Sequence, residues 1–90
     1  MYDGNFKDDL KHGYGVENLV NGDQYDGDWY KGVRQGKGVY TYATDGQYYG
    51  DWDNDTQHGH GIRTYPNGNQ YEGEYKHGAK YGNGIWTCEH

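Results

Sequence analysis

Fourteen carboxylates, five histidines and one cysteine are the groups in this chain that could do chemistry. Asp28, Asp51 and Glu74 recur at a spacing of 23 residues. A catalytic carboxylate pair needs two groups in unlike environments, one keeping its proton and one losing it. A periodic ladder gives every member the same surroundings, so these three read as a solvated strand face. Asp51-Trp52-Asp53-Asn54-Asp55 resembles the start of a calcium loop, but Thr56 stands where that loop needs Gly, and Ile62 where it needs the closing Glu. His58 and His60, with Cys88 and His90, could supply four zinc ligands in two pairs. They fall at non-equivalent points of the sequence pattern, so no metal is expected. The glycines from Gly32 to Gly38 look like a phosphate loop, yet they precede a strand, whereas a phosphate cradle opens a helix. There is no Ser to act as a nucleophile. The expectation is a non-enzyme with no catalytic residue, no cofactor and no metal.

The elements that must position these residues follow from one stretch, Tyr25 to Gly38, which reads Tyr-Asp-Gly-Asp-Trp-Tyr-Lys-Gly-Val-Arg-Gln-Gly-Lys-Gly. Shifted by 23 residues, the sequence superposes on itself. Tyr2, Tyr25, Tyr48 and Tyr71 fall in step, then Gly4, Gly27, Gly50 and Gly73, then Phe6, Trp29, Trp52 and Tyr75. Gly-x-Gly pairs begin at Gly13, Gly36, Gly59 and Gly82, with Val16, Val39, Ile62 and Ile85 behind them. A fixed period over the whole chain means a repeat architecture. Four units are expected, approximately 1–22, 23–45, 46–69 and 70–90.

Two-residue alternation in Tyr-x-Gly-x-Trp is the signature of a strand. Each unit reads as a strand, a loop of about seven residues, a second strand, and an Asn-Gly or Asp-Gly turn. Strands are expected near 2–7, 14–20, 25–30, 37–43, 48–53, 60–65, 71–76 and 83–88. The turn at Asp45-Gly46, displaced by one residue from its counterparts, is expected to differ in type. The architecture is all-β: an elongated, single-layer, antiparallel up-and-down sheet of β-hairpins. Gly inside a strand marks a close approach, and the recurrent rings are expected to lie across it. The aliphatic residues at 16, 39, 62 and 85 are expected to form a ladder on the opposite face.

The composition agrees with a thin fold. Hydrophobic residues are 31% of the chain and 12 residues are Tyr, while 17 Gly and a single Pro leave little room for helices. A net charge of −6 with dispersed cations excludes a nucleic-acid partner and disfavours an anionic membrane surface. One cysteine allows no internal disulfide, which points to a reducing, cytoplasmic setting. The chain opens directly on the motif's Tyr, so the array is expected to be continued, or its end completed by a partner.

The motif Tyr-x-Gly-x-Trp, a linker Gly (Gly32, Gly78), a Gly-x-Gly and a closing Asn-Gly or Asp-Gly in 23 residues closely resembles the MORN (membrane occupation and recognition nexus) repeat. Phe6 and Tyr75 depart from it at the Trp position, and Asp9 and Asp55 at the linker Gly. The resemblance implies a twisted sheet of hairpins without catalytic activity, serving as a scaffold in ciliary, flagellar or other cytoskeletal assemblies, or alternatively as a peripheral membrane or phosphoinositide module or the regulatory segment of a larger lipid kinase. Protein partners are expected within a larger complex. They would be held as an extended peptide on the aromatic face, with Tyr25, Trp29, Tyr48, Trp52, Tyr71 and Tyr75 as anchors, and by strand pairing at the sheet edges.

Overall fold

The computed structural model describes residues 1–88. It consists of β1 (Tyr2–Lys7), β2 (Leu10–Asn18), β3 (Gln24–Tyr30), β4 (Val33–Thr41), β5 (Gln47–Asp53), β6 (Thr56–Thr64), β7 (Gln70–Lys76) and β8 (Ala79–Thr87). The strands pair antiparallel in chain order to make one open sheet. Its dimensions are 46 × 25 × 16 Å.

The second strand of each unit starts about four residues earlier than its spacing predicts, and the seven-residue loop is absent. In its place are two-residue turns at Asp8-Asp9, Lys31-Gly32, Asn54-Asp55 and His77-Gly78, with φ positive at both positions. That backbone is the type I′ turn, which matches the twist of a hairpin and favours Asn, Asp and Gly. The linker Gly is therefore the turn itself, and Asp9 and Asp55 are its other permitted occupants. The Asn-Gly and Asp-Gly sites lie in five-residue connections between units. Gly22 closes a turn onto Leu19 and Gly68 one onto Tyr65. All three connections share a bond from the first residue's N–H to the last one's carbonyl, Tyr42 to Gly46 at 2.8 Å here, but at Gly46 the positive φ moves to the last connection residue, so this turn does differ from its two counterparts.

The Gly-x-Gly lies inside the longer strand, where it forms a bulge. Between the pairs Gly27↔Gly38 and Trp29↔Arg34, Asp28 alone faces three residues of β4. Gly36 bends there with φ +101, a conformation open to Gly and strained for other residues. The Asp28 carboxylate accepts the Lys37 N–H at 3.3 Å, and in the next unit Asp51 accepts that of His60 at 3.2 Å. The recurring acid at this position thus satisfies a backbone donor that the bulge takes out of the ladder.

Register places one glycine of each strand in a single row: Gly4, Gly15, Gly27, Gly38, Gly50, Gly61, Gly73 and Gly84. Tyr25 covers Gly38, Tyr48 covers Gly61 and Tyr71 covers Gly84, each so closely that a Cβ would overlap the ring. The core is this layer of rings over bare backbone. On the opposite face the aliphatic ladder does not form, because register interleaves Val16, Val39, Ile62 and Ile85 with Asp3, Asp26, Tyr49 and Glu72.

Candidate functional site

One face of the sheet carries the rings, and strand alternation puts them there: Tyr25, Gly27 and Trp29 point one way from β3, and Asp26 and Asp28 the other. The rings form an unbroken line of edge contacts across the strands. Tyr25 meets Trp29 of its own strand at 5.1 Å and Trp52 of the next unit at 5.2 Å, nearly perpendicular in both cases. Tyr48 repeats this with Trp52 at 5.4 Å and Tyr75 at 5.0 Å, and Tyr2 reaches Trp29 at 5.4 Å. Edge-to-face geometry sets the positive rim of one ring against the negative face of another.

The polar ends of Tyr25, Tyr48, Trp29 and Trp52 also have partners. The hydroxyls of Tyr25 and Tyr48 donate to the carbonyls of Asp28 and Asp51, both at 2.9 Å. Trp29 Nε1 donates to Gly15 O at 3.1 Å, and Trp52 Nε1 to Gly38 O at 3.2 Å. Burial pushes the phenols of Tyr25 and Tyr48 well above the ordinary range, and that of Tyr75 up to about 12.

The six expected anchors, Tyr25, Trp29, Tyr48, Trp52, Tyr71 and Tyr75, are all buried, with exposures between 0% and 6%. The structure brings them together, but as core, because a single-layer sheet has no other residues with which to cover its glycines. What this face presents outward is a second tier that the sequence reading passed over. Tyr40, Tyr42 and Tyr65 pack, partly buried, against the core rings. Arg34 lies over Trp52 at 4.9 Å, and Arg63 over Tyr42 at 4.2 Å and Tyr65 at 4.8 Å. Lys11 stands over Trp29 at 4.9 Å and Lys80 over Tyr71 at 5.2 Å. The signal was available: these four cations and the three tyrosines sit at even offsets from the row glycines, which assigns them to the ring face.

Three of the four cations are tied down by acids. Lys11 bonds Glu17 at 2.6 Å, Arg34 bonds Asp55 at 3.1 Å, and Arg63 bonds Asp45 at 2.7 Å. Asp55, one of the departures from the linker Gly, also accepts the Arg34 N–H at 2.8 Å. Arg63 Nε is buried without a hydrogen-bond partner among the described residues. Tyr40 donates to Asp23 at 2.7 Å. Burial first and this bond second raise its phenol to about 12, while the same bond holds Asp23 below the usual carboxylate range.

The groups considered for chemistry diverge. Asp51 bonds Lys37 at 2.5 Å, Asp53 accepts from Gln35 at 2.8 Å, and Asp55 faces Arg34, so the three acids of the apparent calcium loop do not converge. His58 packs against His77 at 5.4 Å, whereas His60 turns to Glu72 at 3.1 Å. Cys88 is exposed, and His90 lies outside the described residues. Among the described residues no three His, Cys, Asp or Glu side chains form a metal set, and no helix is long and apolar enough to cross a membrane.

An open sheet of like hairpins, with one Tyr and one second ring per unit locked over a glycine row, is a repeat array of the interaction-module class. The family model of the MORN repeat matches residues 2–24, 25–47, 48–70 and 71–89. The chain belongs to the MORN repeat family. MORN repeats are non-catalytic modules that engage proteins or membranes. None of the curated proteins compared with the chain matches it.

Proposed function

We propose that this chain is a non-catalytic scaffold that holds a protein partner against its ring face, as part of a larger cytoskeletal assembly of the ciliary or flagellar kind. The observation that supports it is the outer tier of that face, where Tyr40, Tyr42 and Tyr65 lie with the guanidinium groups of Arg34 and Arg63. Tyr and Arg dominate the energetics of protein interfaces, and they do so best on a rigid base. Here the six buried rings are the base and the outer tier makes the contact. An extended peptide laid across the strands would meet these groups in succession. The open edges β1 and β8 offer unpaired backbone to a partner's strand. The axonemal and cytoplasmic setting draws its support from the family resemblance.

Crosslinking of the native complex followed by mass spectrometry identifies the partner. Tyr42→Ala with Tyr65→Ala should then abolish its capture at a temperature where strand ellipticity shows the sheet still folded. Retained capture by folded protein rules out the ring face. A proline at Ile85 tests the β8 edge in the same way.

The second reading, a peripheral module for anionic lipid, is favoured by the gathering of Lys11, Arg34, Arg63 and Lys80 on one face. The acids that pair with three of them weigh against it. Sedimentation with phosphoinositide vesicles separates the two readings.

A further inference from the structure

The other face has a charge and a relief of its own. Its two central rows hold Asp3, Asp26, Asp28, Asp51, Glu72 and Glu74 against Lys37 alone among lysines and arginines. Six carboxylates and one lysine leave −5 there out of the chain's −6, with histidine counted neutral. The first row is also apolar at its middle. Val39 and Ile62 are half-buried, Tyr49 is 50% exposed between them, and Asp26 separates Val39 from the half-buried Val16. Asp3, Asp28, Glu72 and Glu74 are exposed, the last two with side chains 49% and 57% exposed, while Asp26 and Asp51 are half-buried and bonded to Tyr14 and Lys37.

We propose that this acidic face docks a protein helix that carries an aliphatic stripe flanked by lysine or arginine. Two spacings argue for a helix lying along the stacking direction. Strands succeed one another at about 4.8 Å, close to the helical rise of about 5.4 Å per turn. One apolar residue per turn therefore meets one strand, at Val39 on β4, Tyr49 on β5 and Ile62 on β6, while Asp26 and Glu72 on the strands to either side face a cation. Asp28, Asp51 and Glu74 stand on β3, β5 and β7, so they recur every second strand at about 9.6 Å. A cation every seven residues of a helix recurs at about 10.5 Å. The apolar row supplies contact area, and the carboxylates on one side of it fix direction and choice of partner. This surface is separate from the ring face, so the chain can hold two partners at once, and either proposal stands if the other fails.

The test uses the whole chain and a synthetic helical peptide of four turns with a leucine stripe flanked by lysines. A scrambled peptide of equal composition and a Lys→Glu version are its controls. Methyl resonances of Val16, Val39 and Ile62 should shift on titration with the first peptide alone. The triple variant Asp26→Asn, Glu72→Gln, Glu74→Gln should weaken binding about tenfold, since each rim charge contributes modestly. Added salt should weaken it further. No binding, or equal binding of the scrambled peptide, overturns the proposal. So do shifts confined to the aromatic resonances of Tyr40, Tyr42 and Tyr65 in the same titration, and so does self-association through this face, which would make a second copy the occupant.

Discussion

Replacing Gly38 by alanine puts a single methyl group where the fold has no room. Its Cβ would overlap Oη, Cζ and Cε1 of Tyr25. The ring cannot swing aside freely, being 0% exposed, bonded through its hydroxyl to Asp28 O at 2.9 Å, and edge-packed on Trp29 and Trp52. Overpacking of a closed site costs about 1–3 kcal/mol, and loss of one ring pair adds about 0.5–1.5 kcal/mol. A total of about 2–4 kcal/mol lowers the melting temperature by about 10–30 °C in a chain of this size. Gly78→Ala is the control, because Gly78 has φ +86 and nothing within 4 Å of an added Cβ. It should cost only the left-handed backbone, about 1–2 kcal/mol. Urea denaturation of Gly38→Ala, Tyr25→Leu and the double variant closes the cycle, with a coupling of about 1–3 kcal/mol expected once the ring is withdrawn. If Gly38→Ala melts within a few degrees of the parent, or costs as much in the Tyr25→Leu background as in the parent, the ring-on-glycine account is wrong.

Alkali should unfold the sheet through its phenols. Tyr40 and Tyr75 ionise at about 12 when folded, against about 10 when unfolded. Their contribution is whole below about pH 10 and lost as pH rises through about 12. Strand ellipticity and tyrosinate absorbance should change together, and an ordinary midpoint with the sheet intact would contradict the burial. At the acid end, Asp23, held down by Tyr40, and Asp51, held down by Lys37, contribute stability that is present above about pH 4 and lost below it; Tyr40→Phe should shift the acid midpoint upward. Trp52→Phe removes the donor to Gly38 O and should cost about 1–3 kcal/mol in urea denaturation. Zinc or calcium should leave the melting temperature unchanged, and a rise of several degrees reversed by EDTA would establish a bound ion.

The period carried most of the fold into the sequence. Tyr2 to Phe6 and its three copies announced the short strands, and the glycines announced the rings above them. The longer strands begin four residues before the expected 14, 37, 60 and 83, because the Gly-x-Gly lies within the strand and does not open it. A bulge glycine and a turn glycine look alike in sequence and differ only in what pairs across from them, as Gly36 and Gly32 show. Asp55 looked like a defect for the same reason, until Arg34 from the neighbouring hairpin supplied its partner. The six rings are legible as a group that covers the glycines, but how little of their surface is left outward, 0% to 6%, is not. An amphipathic strand shows which side chains share a face, and only packing shows that the rings of one unit are consumed by the next.

Tyr25 reaches forward to Trp52, and Tyr48 to Tyr75, so each unit grips its successor by the same contact. In this ring contact the junctions are alike, although the Arg34–Asp55 pair belongs to one of them alone. A copy of 23 residues spliced in at any of them would lengthen the molecule by two strands, about 9.6 Å, and would renew the same ring contact on each of its two sides. Length is then counted in fixed increments, and the distance between whatever is fastened to the two ends of such an array becomes a heritable integer, altered by duplicating or deleting one segment of coding sequence and by nothing smaller.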